Sequence, residues 1–436
     1  MKTKDKLPVT NLVIFGITGD LSSRYILPAL AQLKKAGRLP SNFKIVGLSR
    51  RPIAAEHVLD SETACLGDYL VMLQMDVAND KDYEKLKLRL GDGGQVIFYF
   101  AVPPTAVLPI VHRLNRAKLN GPKTKLLLEK PFGYDLESAK YLVAETTKCF
   151  KEKQIYRIDH YMAKEMAQNI SVFLGSNSLF RQIWNSQFID SIDILSAEKI
   201  GIEGRTNFYE STGALRDFVQ SHLMNLAALT LMRPCSGVFE FSELPERRLE
   251  ALKSLRPIDQ DDVVRAQYSD YKEEVSNPKS NTETFVSLKL HSQDSRWAKV
   301  PITLTTGKKL DQKLTEIRVS FKKTDDSEAN TLILRIQPEE GIELDLWTKT
   351  PGYDRELRRL PLKFSYAEGA ARLPNAYEQV LVDAMRGSQS LFASSDEVLE
   401  TWRILQPVID CWSMSRSKLH IYEPGSTVEQ VLAKHV

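Results

Sequence analysis

Residues Asn11–Phe15 form a compact apolar run that leads directly into Gly16-Ile17-Thr18-Gly19-Asp20-Leu21, and Leu21–Ala36 then carries apolar side chains at helical spacing as far as Gly37. The run has the length of a buried strand, the two glycines permit a tight turn, and the periodic stretch predicts a helix. In that order, strand, glycine turn and helix make the entrance to a dinucleotide site, where backbone N–H groups at a helix start meet phosphate. Ile14 stands where the first glycine of G-x-G-x-x-G would be, so the motif alone is weak. Pro28 is expected to kink the helix.

The alternation continues. Strands are expected at Lys44–Ser49, Met72–Met75, Val96–Ala101, Lys125–Glu129 and Ile155–Ile158, with helices after Pro104 and over Leu136–Cys149. This pattern predicts an α/β, Rossmann-type doubly wound domain over residues 1–158. The second strand ends in Arg50 and Arg51, where an NAD enzyme usually places an acidic residue for the ribose hydroxyls. Guanidinium groups there suit a 2′-phosphate, so the position favours NADP over a merely solvated basic turn. Lys130 follows the apolar strand Leu126–Leu128 and sits in Glu129-Lys130-Pro131-Phe132-Gly133, at the carboxyl end of a strand where ligands bind.

A second concentration of chemistry spans residues 155 to 165. Asp159, His160, Tyr161 and Lys164 bring a carboxylate, an imidazole, a phenol and an ammonium to a strand-to-helix junction. If the helix begins near Asp159, His160 and Lys164 lie four residues apart on one face, a disposition suited to a phosphate. The competing reading is an N-capping Asp, a tyrosine at the core edge and a solvated Lys.

From about Gln187 longer alternating strands replace the strand-helix alternation, so residues 159–436 are expected to form an α+β domain. Ala214–Met232 reads as a helix with Leu215, Phe218, Val219, Leu226 and Leu229 on one face, and His222 falls on that face. A lone histidine on an apolar stripe is ordinarily a satisfied core residue; Arg216 and Asp217 at its edge favour a catalytic one. Ser269–Thr284 is polar and proline-containing, a candidate mobile loop. Lys308, Lys309 and Lys313 leave a strand around Gly307 as either a solvated hairpin or half of an anion pocket.

Composition excludes several classes of function. With 59 basic and 56 acidic residues the net charge is +3, too small to call for nucleic acid. The longest early apolar run, Leu12–Ile17, is too short for a signal segment or a membrane span. Cys65, Cys149, Cys235 and Cys411 are widely spaced, which argues against a zinc site and fits buried thiols in a reducing cytoplasm.

Seven blocks in order, GITGDL, LEKPFG, RIDHYMAKE, GALRDFVQSH, TETFVSLKL, RWAKVPITLTTGKKL and NAYEQVLVDAMRG, resemble the glucose-6-phosphate dehydrogenase family over Leu12 to about Trp412. The resemblance implies an N-terminal coenzyme domain and a C-terminal domain on a large, mainly antiparallel sheet. It also implies assembly as dimers or tetramers and NADP-linked oxidation of glucose 6-phosphate, the first step of the pentose phosphate pathway. Position by position it implies His222 as general base and Asp159 as the carboxylate that orients it. His160, Tyr161, Lys164 and Lys313 would hold the sugar phosphate. Glu198, Asp217 and Lys308 would line the sugar pocket, and Lys130 would touch both substrate and coenzyme. Gly16, Thr18, Gly19, Asp20, Leu21 and Arg50 would hold the coenzyme.

The chemistry agrees, because hydride loss from a hemiacetal carbon needs its hydroxyl deprotonated, a task that suits imidazole and calls for no metal. Three positions depart from the family pattern: Tyr25 stands for a lysine, Ala163 for the glycine of HYxGKE and Ser221 for an asparagine. Two rivals remain, a dehydrogenase of another aldose or aldose phosphate and a non-catalytic NADP-sensing regulator. Retention of both Asp159 and His222 speaks against the regulator.

Overall fold

The computed structural model describes residues 7–91, 93–234, 240–323, 329–368, 372–414 and 418–433. The contacts divide the chain into two units: Met1–Gly133, Glu137–Ala163 and Pro374–Ser395 form one, and Tyr134–Leu136, Lys164–Leu373 and Asp396–Val436 the other. The units therefore differ from the two continuous stretches expected from the sequence. The change of unit falls after Ala163, and a segment from far along the chain returns to the first unit.

In the first unit β1 (Thr10–Phe15), β2 (Phe43–Ser49), β3 (Leu70–Gln74), β4 (Gln95–Phe100), β5 (Thr124–Leu128) and β6 (Ile155–Ile158) lie in the order 6-5-4-1-2-3. All five of these pairings are parallel. The helices α1 (Leu27–Lys35), α2 (Asp80–Leu90), α3 (Pro104–Arg116) and α4 (Leu136–Cys149) supply the crossovers. The short strand Phe392–Ala393 adds antiparallel to β6, so β6 does not close the sheet. Leu12, Ile14, Leu30, Ile45, Ile97 and Leu127 share one core with Val380, Leu381 and Ala384 of the returning helix Ala376–Arg386. At about 1.5–3 kcal/mol for each fully buried large aliphatic side chain, that helix is held by apolar burial.

The helix that starts at Asp20 passes through a π-helical stretch, Ser22–Ile26, directly ahead of α1, so Pro28 falls where the regular α-helical hydrogen-bond ladder is already interrupted.

The second unit is built on a nine-stranded sheet. It comprises β7 (Ile189–Ala197), β8 (Val263–Tyr268), β9 (Phe285–Leu290), β10 (Ile302–Gly307), β11 (Leu314–Phe321), β12 (Thr331–Gln337), β13 (Gly341–Lys349) and β14 (Leu357–Ser365), with the short strand His420–Tyr422. The order is 14-13-12-11-7-10-9-8 followed by His420–Tyr422. Pairing is antiparallel except between β7 and β10 and between β8 and His420–Tyr422. Ser269–Thr284 is not an open loop. The Glu210 carboxylate accepts hydrogen bonds from Tyr271 Oη, Asn277 Nδ2 and Ser280 Oγ at 2.8, 2.9 and 3.0 Å, and Glu283 and Thr284 are buried.

Candidate functional site

The turn after β1 lies beside the end of β4, at the point where strand order reverses. Gly16 has φ +83°, and a Cβ there would stand 2.1 Å from the Ala101 carbonyl oxygen, so only glycine fits. The Gly16 carbonyl accepts from Gly19 N at 3.0 Å and from Ser22 Oγ at 2.9 Å, which closes the turn and starts the helix at Asp20. Thr18 and Asp20 are exposed, and Gly19 and Leu21 are half-buried. Arg50 is exposed just past the end of β2. A close-approach glycine, a helix start and a cation on the neighbouring strand fit a dinucleotide.

Lys130 follows β5 through a cis peptide to Pro131. Beside it, Glu129 accepts a 2.5 Å hydrogen bond from the Tyr99 hydroxyl. Burial pushes the Glu129 carboxyl up to about 7, against the Tyr99 bond and Lys130, which pull it down. Asp159 follows β6, is 2% exposed, and its Oδ1 accepts from Tyr161 N at 2.8 Å. This side-chain cap folds residues 160–163 into turns, so the expected helix does not begin there. It begins at Glu165 as α5 (Glu165–Ser176), with Lys164 in extended conformation at its N-cap. His160 and Lys164 consequently share no helix face; they belong to different units.

In the second unit Lys164 Nζ donates to Gln337 Oε1 at 3.0 Å, and Gln337 Nε2 donates to Thr315 Oγ1 at 2.9 Å. Glu340 accepts from Met166 N at 2.6 Å. Burial lowers the Lys164 pKa, Glu340 raises it, and the charge of Lys313 lowers it again. Lys313 is exposed, and its charge acts on the half-buried Lys164 ammonium.

Lys308 is 2% exposed, pairs with Glu198 at 2.5 Å and lies 5.2 Å from the Tyr209 ring centroid. Burial raises the Tyr209 pKa well above its ordinary value, and the negative charges of Asp217, Glu283 and Glu198 add to the shift. Glu198 and Lys308 are therefore an ion pair beside Tyr209, whose phenol also feels the charge of Asp217. Lys309 is not part of it, because Asp270 and Glu274 hold its ammonium.

His222 is 1% exposed, on the π-helical stretch Leu215–Leu223 that continues into the helix Met224–Leu231. Of residues 215–231 all but Arg216 are buried, so the stripe expected along one face is absent, and the π pitch moves each side chain off α-helical register. The stretch starts at Glu283, whose carboxylate accepts from Leu215 N at 2.9 Å and whose carbonyl accepts from Ala214 N at 3.0 Å. Gly213, with φ +64°, lets Glu283 in: a Cβ there would stand 2.3 Å from its Oε1.

Gln337, Glu340, Tyr209 and Glu283 were not singled out by sequence reasoning. Only Glu283 lies within a block of the resemblance, TETFVSLKL. Of the cysteines, Cys149 is buried, whereas Cys65 and Cys411 are half-buried rather than core residues, and Cys235 lies outside the described residues. Among the described residues no helix is long and apolar enough to cross a membrane.

Comparison with known proteins gives the family. Residues 13–169 match the family model described as glucose-6-phosphate dehydrogenase, NAD binding domain, and residues 171–435 the C-terminal domain of the same family. The glucose-6-phosphate 1-dehydrogenase of Chlamydia muridarum is 36% identical, with 96% of this chain and 93% of the relative covered. That of Borreliella burgdorferi is 37% identical, with 92% of each covered. A solved glucose-6-phosphate dehydrogenase in complex with its substrate glucose-6-phosphate superposes with a TM-score of 0.91 at 29% identity, covering 98% of this chain and 97% of that one. The glucose-6-phosphate 1-dehydrogenase of Mycobacterium avium gives 0.87 at 33%, covering 96% and 95%. This chain belongs to the glucose-6-phosphate dehydrogenase family.

Proposed function

We propose that this protein oxidises glucose 6-phosphate to 6-phosphogluconolactone with NADP as acceptor. The observation that carries the substrate reading is the half-buried Lys164 ammonium, set by Gln337 Oε1 at 3.0 Å and acted on by the charge of the exposed Lys313. Glu198, Lys308 and Asp217 supply a polar wall for sugar hydroxyls. His160 and Tyr161 are assigned as further donors to the phosphate, and Lys130, at the ligand edge of its sheet, to substrate and coenzyme.

His222 takes the proton of the anomeric hydroxyl onto an imidazole nitrogen, and Asp159 is assigned as the carboxylate that balances the imidazolium charge. As the O–H bond breaks, its electrons form the C1=O bond and C1–H leaves with both of its own. NADP, when bound, accepts that hydride. Gly16, Thr18, Gly19, Asp20 and Leu21 shape the pyrophosphate cradle. Arg50 pairs with the 2′-phosphate, the basis for preferring NADP over NAD.

A cytoplasmic location and assembly as a homodimer or homotetramer belong to the same reading. Support for assembly is the edge strand β14, which leaves Leu357, Leu360, Leu362 and Phe364 exposed.

The test mixes purified protein with NADP or NAD and a panel of sugars and sugar phosphates, following nicotinamide reduction by absorbance. Reduction with glucose 6-phosphate and NADP is expected. Turnover with a different aldose phosphate, or with none, would overturn the substrate or the enzyme reading respectively.

A further inference from the structure

Four rings of the first unit form a column. Tyr25 stacks on Tyr377 with centroids 5.2 Å apart and planes at 26°, Tyr377 faces His160 at 6.5 Å and 10°, and His160 leans on Tyr161 at 5.1 Å and 55°. The rings come from three segments remote in sequence. Tyr25 lies on the π-helical stretch after the dinucleotide turn, and His160 and Tyr161 on the turn after β6. Tyr377 opens the returning helix Ala376–Arg386.

A capping box fixes that opening. Asn375 Oδ1 accepts from Tyr377 N at 3.0 Å and Glu378 Oε1 accepts from Asn375 N at 3.1 Å, so the ring in the middle of the column has a set backbone. Tyr161 is 3% exposed and Tyr377 9%, whereas Tyr25 is 45% exposed. The column is anchored in the interior at one end and closed against water at the other by a single exposed ring.

We propose that Tyr25 and Tyr377 are positioning residues for His160, and that Tyr25 tunes the affinity for a phosphorylated sugar by holding the column closed. The inference rests on the reading that His160 meets the substrate phosphate. Parallel rings at these distances are attractive, and a flat neighbour restricts rotation of the imidazole about its Cβ–Cγ bond, so its N–H groups keep one direction. Without Tyr25 the far face of Tyr377 opens to water, Tyr377 gains freedom, and His160 loses its flat wall. The action passes through the ring and not through the hydroxyl.

The experiment compares Tyr25→Phe, Tyr25→Ala and Tyr25→Lys with the parent, on glucose 6-phosphate, unphosphorylated glucose and NADP. Tyr25→Ala should raise KM for glucose 6-phosphate by about 2- to 12-fold, the loss of one aromatic pair, with kcat within about two-fold. KM for glucose and for NADP should hold, and Tyr25→Phe should restore the parent value. Tyr25→Lys should behave as Tyr25→Ala.

Equal effects on glucose and glucose 6-phosphate, a Tyr25→Phe variant as impaired as Tyr25→Ala, or a Tyr25→Ala variant identical to the parent would each overturn the proposal. A readout independent of turnover is NMR of histidine-labelled protein, in which Tyr25→Ala should move the His160 ring-proton signals and Tyr25→Phe should not. If the parent protein fails to oxidise glucose 6-phosphate, the functional reading falls. The NMR comparison still decides whether the column positions His160.

Discussion

Lys164→Ala is the perturbation that most directly tests what the second unit is built to bind. Lys164 Nζ is preset by Gln337 Oε1 at 3.0 Å, and Gln337 is itself held by Thr315, so little side-chain freedom is left to lose when an anion arrives. Burial and Lys313 both work against the ammonium, with Glu340 the compensating charge. A phosphate oxygen accepting from Lys164 thus gains a charge-assisted hydrogen bond in a partly desolvated place, worth about 1.5–3 kcal/mol. Its loss should raise KM for glucose 6-phosphate by roughly 10- to 100-fold with kcat little changed, while the slow oxidation of unphosphorylated glucose stays near the parent rate. Lys313→Ala should act on the same phosphate, so the double variant should lose less than the sum of the singles. The lowered pKa adds a pH signature, since kcat/KM for glucose 6-phosphate should begin to fall below the usual lysine range, and that limb should vanish in Lys164→Ala. Steady-state kinetics at saturating NADP measure all of this. A variant that lost activity equally toward both sugars would refute the phosphate anchor and the choice of a phosphorylated substrate with it.

Arg50→Ala should weaken NADP by about 1.5–3 kcal/mol and leave NAD within about two-fold, measured by coenzyme titration; equal losses would remove Arg50 from the 2′-phosphate. His222→Asn should lower kcat by about 10²- to 10⁴-fold with glucose 6-phosphate binding, by calorimetry, within a few-fold of the parent; normal turnover would return His222 to a core residue. Glu283→Ala leaves the Leu215 N–H buried without its acceptor, so chemical denaturation should show a loss of about 1–3 kcal/mol, whereas Glu283→Gln, which keeps a carbonyl acceptor, should stay near the parent. Burial raises the Glu129 carboxyl from 4.5 to about 7, so between those values the folded state binds more protons than the unfolded one. Stability should therefore fall as pH rises through that window and level off above it. Glu129→Gln should abolish that slope in thermal midpoints, and an unchanged slope would reassign it.

Local physics made much of the first unit readable. A short apolar run that ends at a glycine turn has the length of a strand and not of a helix, and the periodic stretch after it has the length of a helix, so Asn11–Gly37 disclosed strand, turn and helix together. Lys130 and Asp159 were legible for a related reason, as polar residues placed where a buried strand ends. What stayed hidden depends on partners that the local pattern does not name. The amphipathic helix Ala376–Arg386 announces a face to bury, yet nothing in its spacing says that the face belongs with Leu12 and Leu30 in the first unit. Ser269–Thr284 looked mobile because it is polar, but several of its polar groups converge on Glu210 from outside the segment.

The stretch carrying His222 shows how tertiary structure overrides a periodic reading. A stripe argument assumes 3.6 residues per turn and one wet face; residues 215–223 are π-helical, and residues 215–231 have no wet face. Once all sides of a helix are buried, hydrophobic spacing no longer distinguishes a core histidine from a placed base. The contacts that set the stretch lie outside the helix. Glu283, ahead of β9, holds the first N–H groups of the stretch, Gly213 leaves it room, and Gln220 Nε2 donates to Thr401 Oγ1 at 2.9 Å. Those tethers hold the stretch at its first turn and again at Gln220, two residues before His222. The same logic separates Lys308 from Lys309. Adjacent in sequence and identical in chemistry, one is buried against Glu198 and Tyr209 while the other answers Asp270 and Glu274, because the chain bends past the end of β10 with Lys309 at φ +48°.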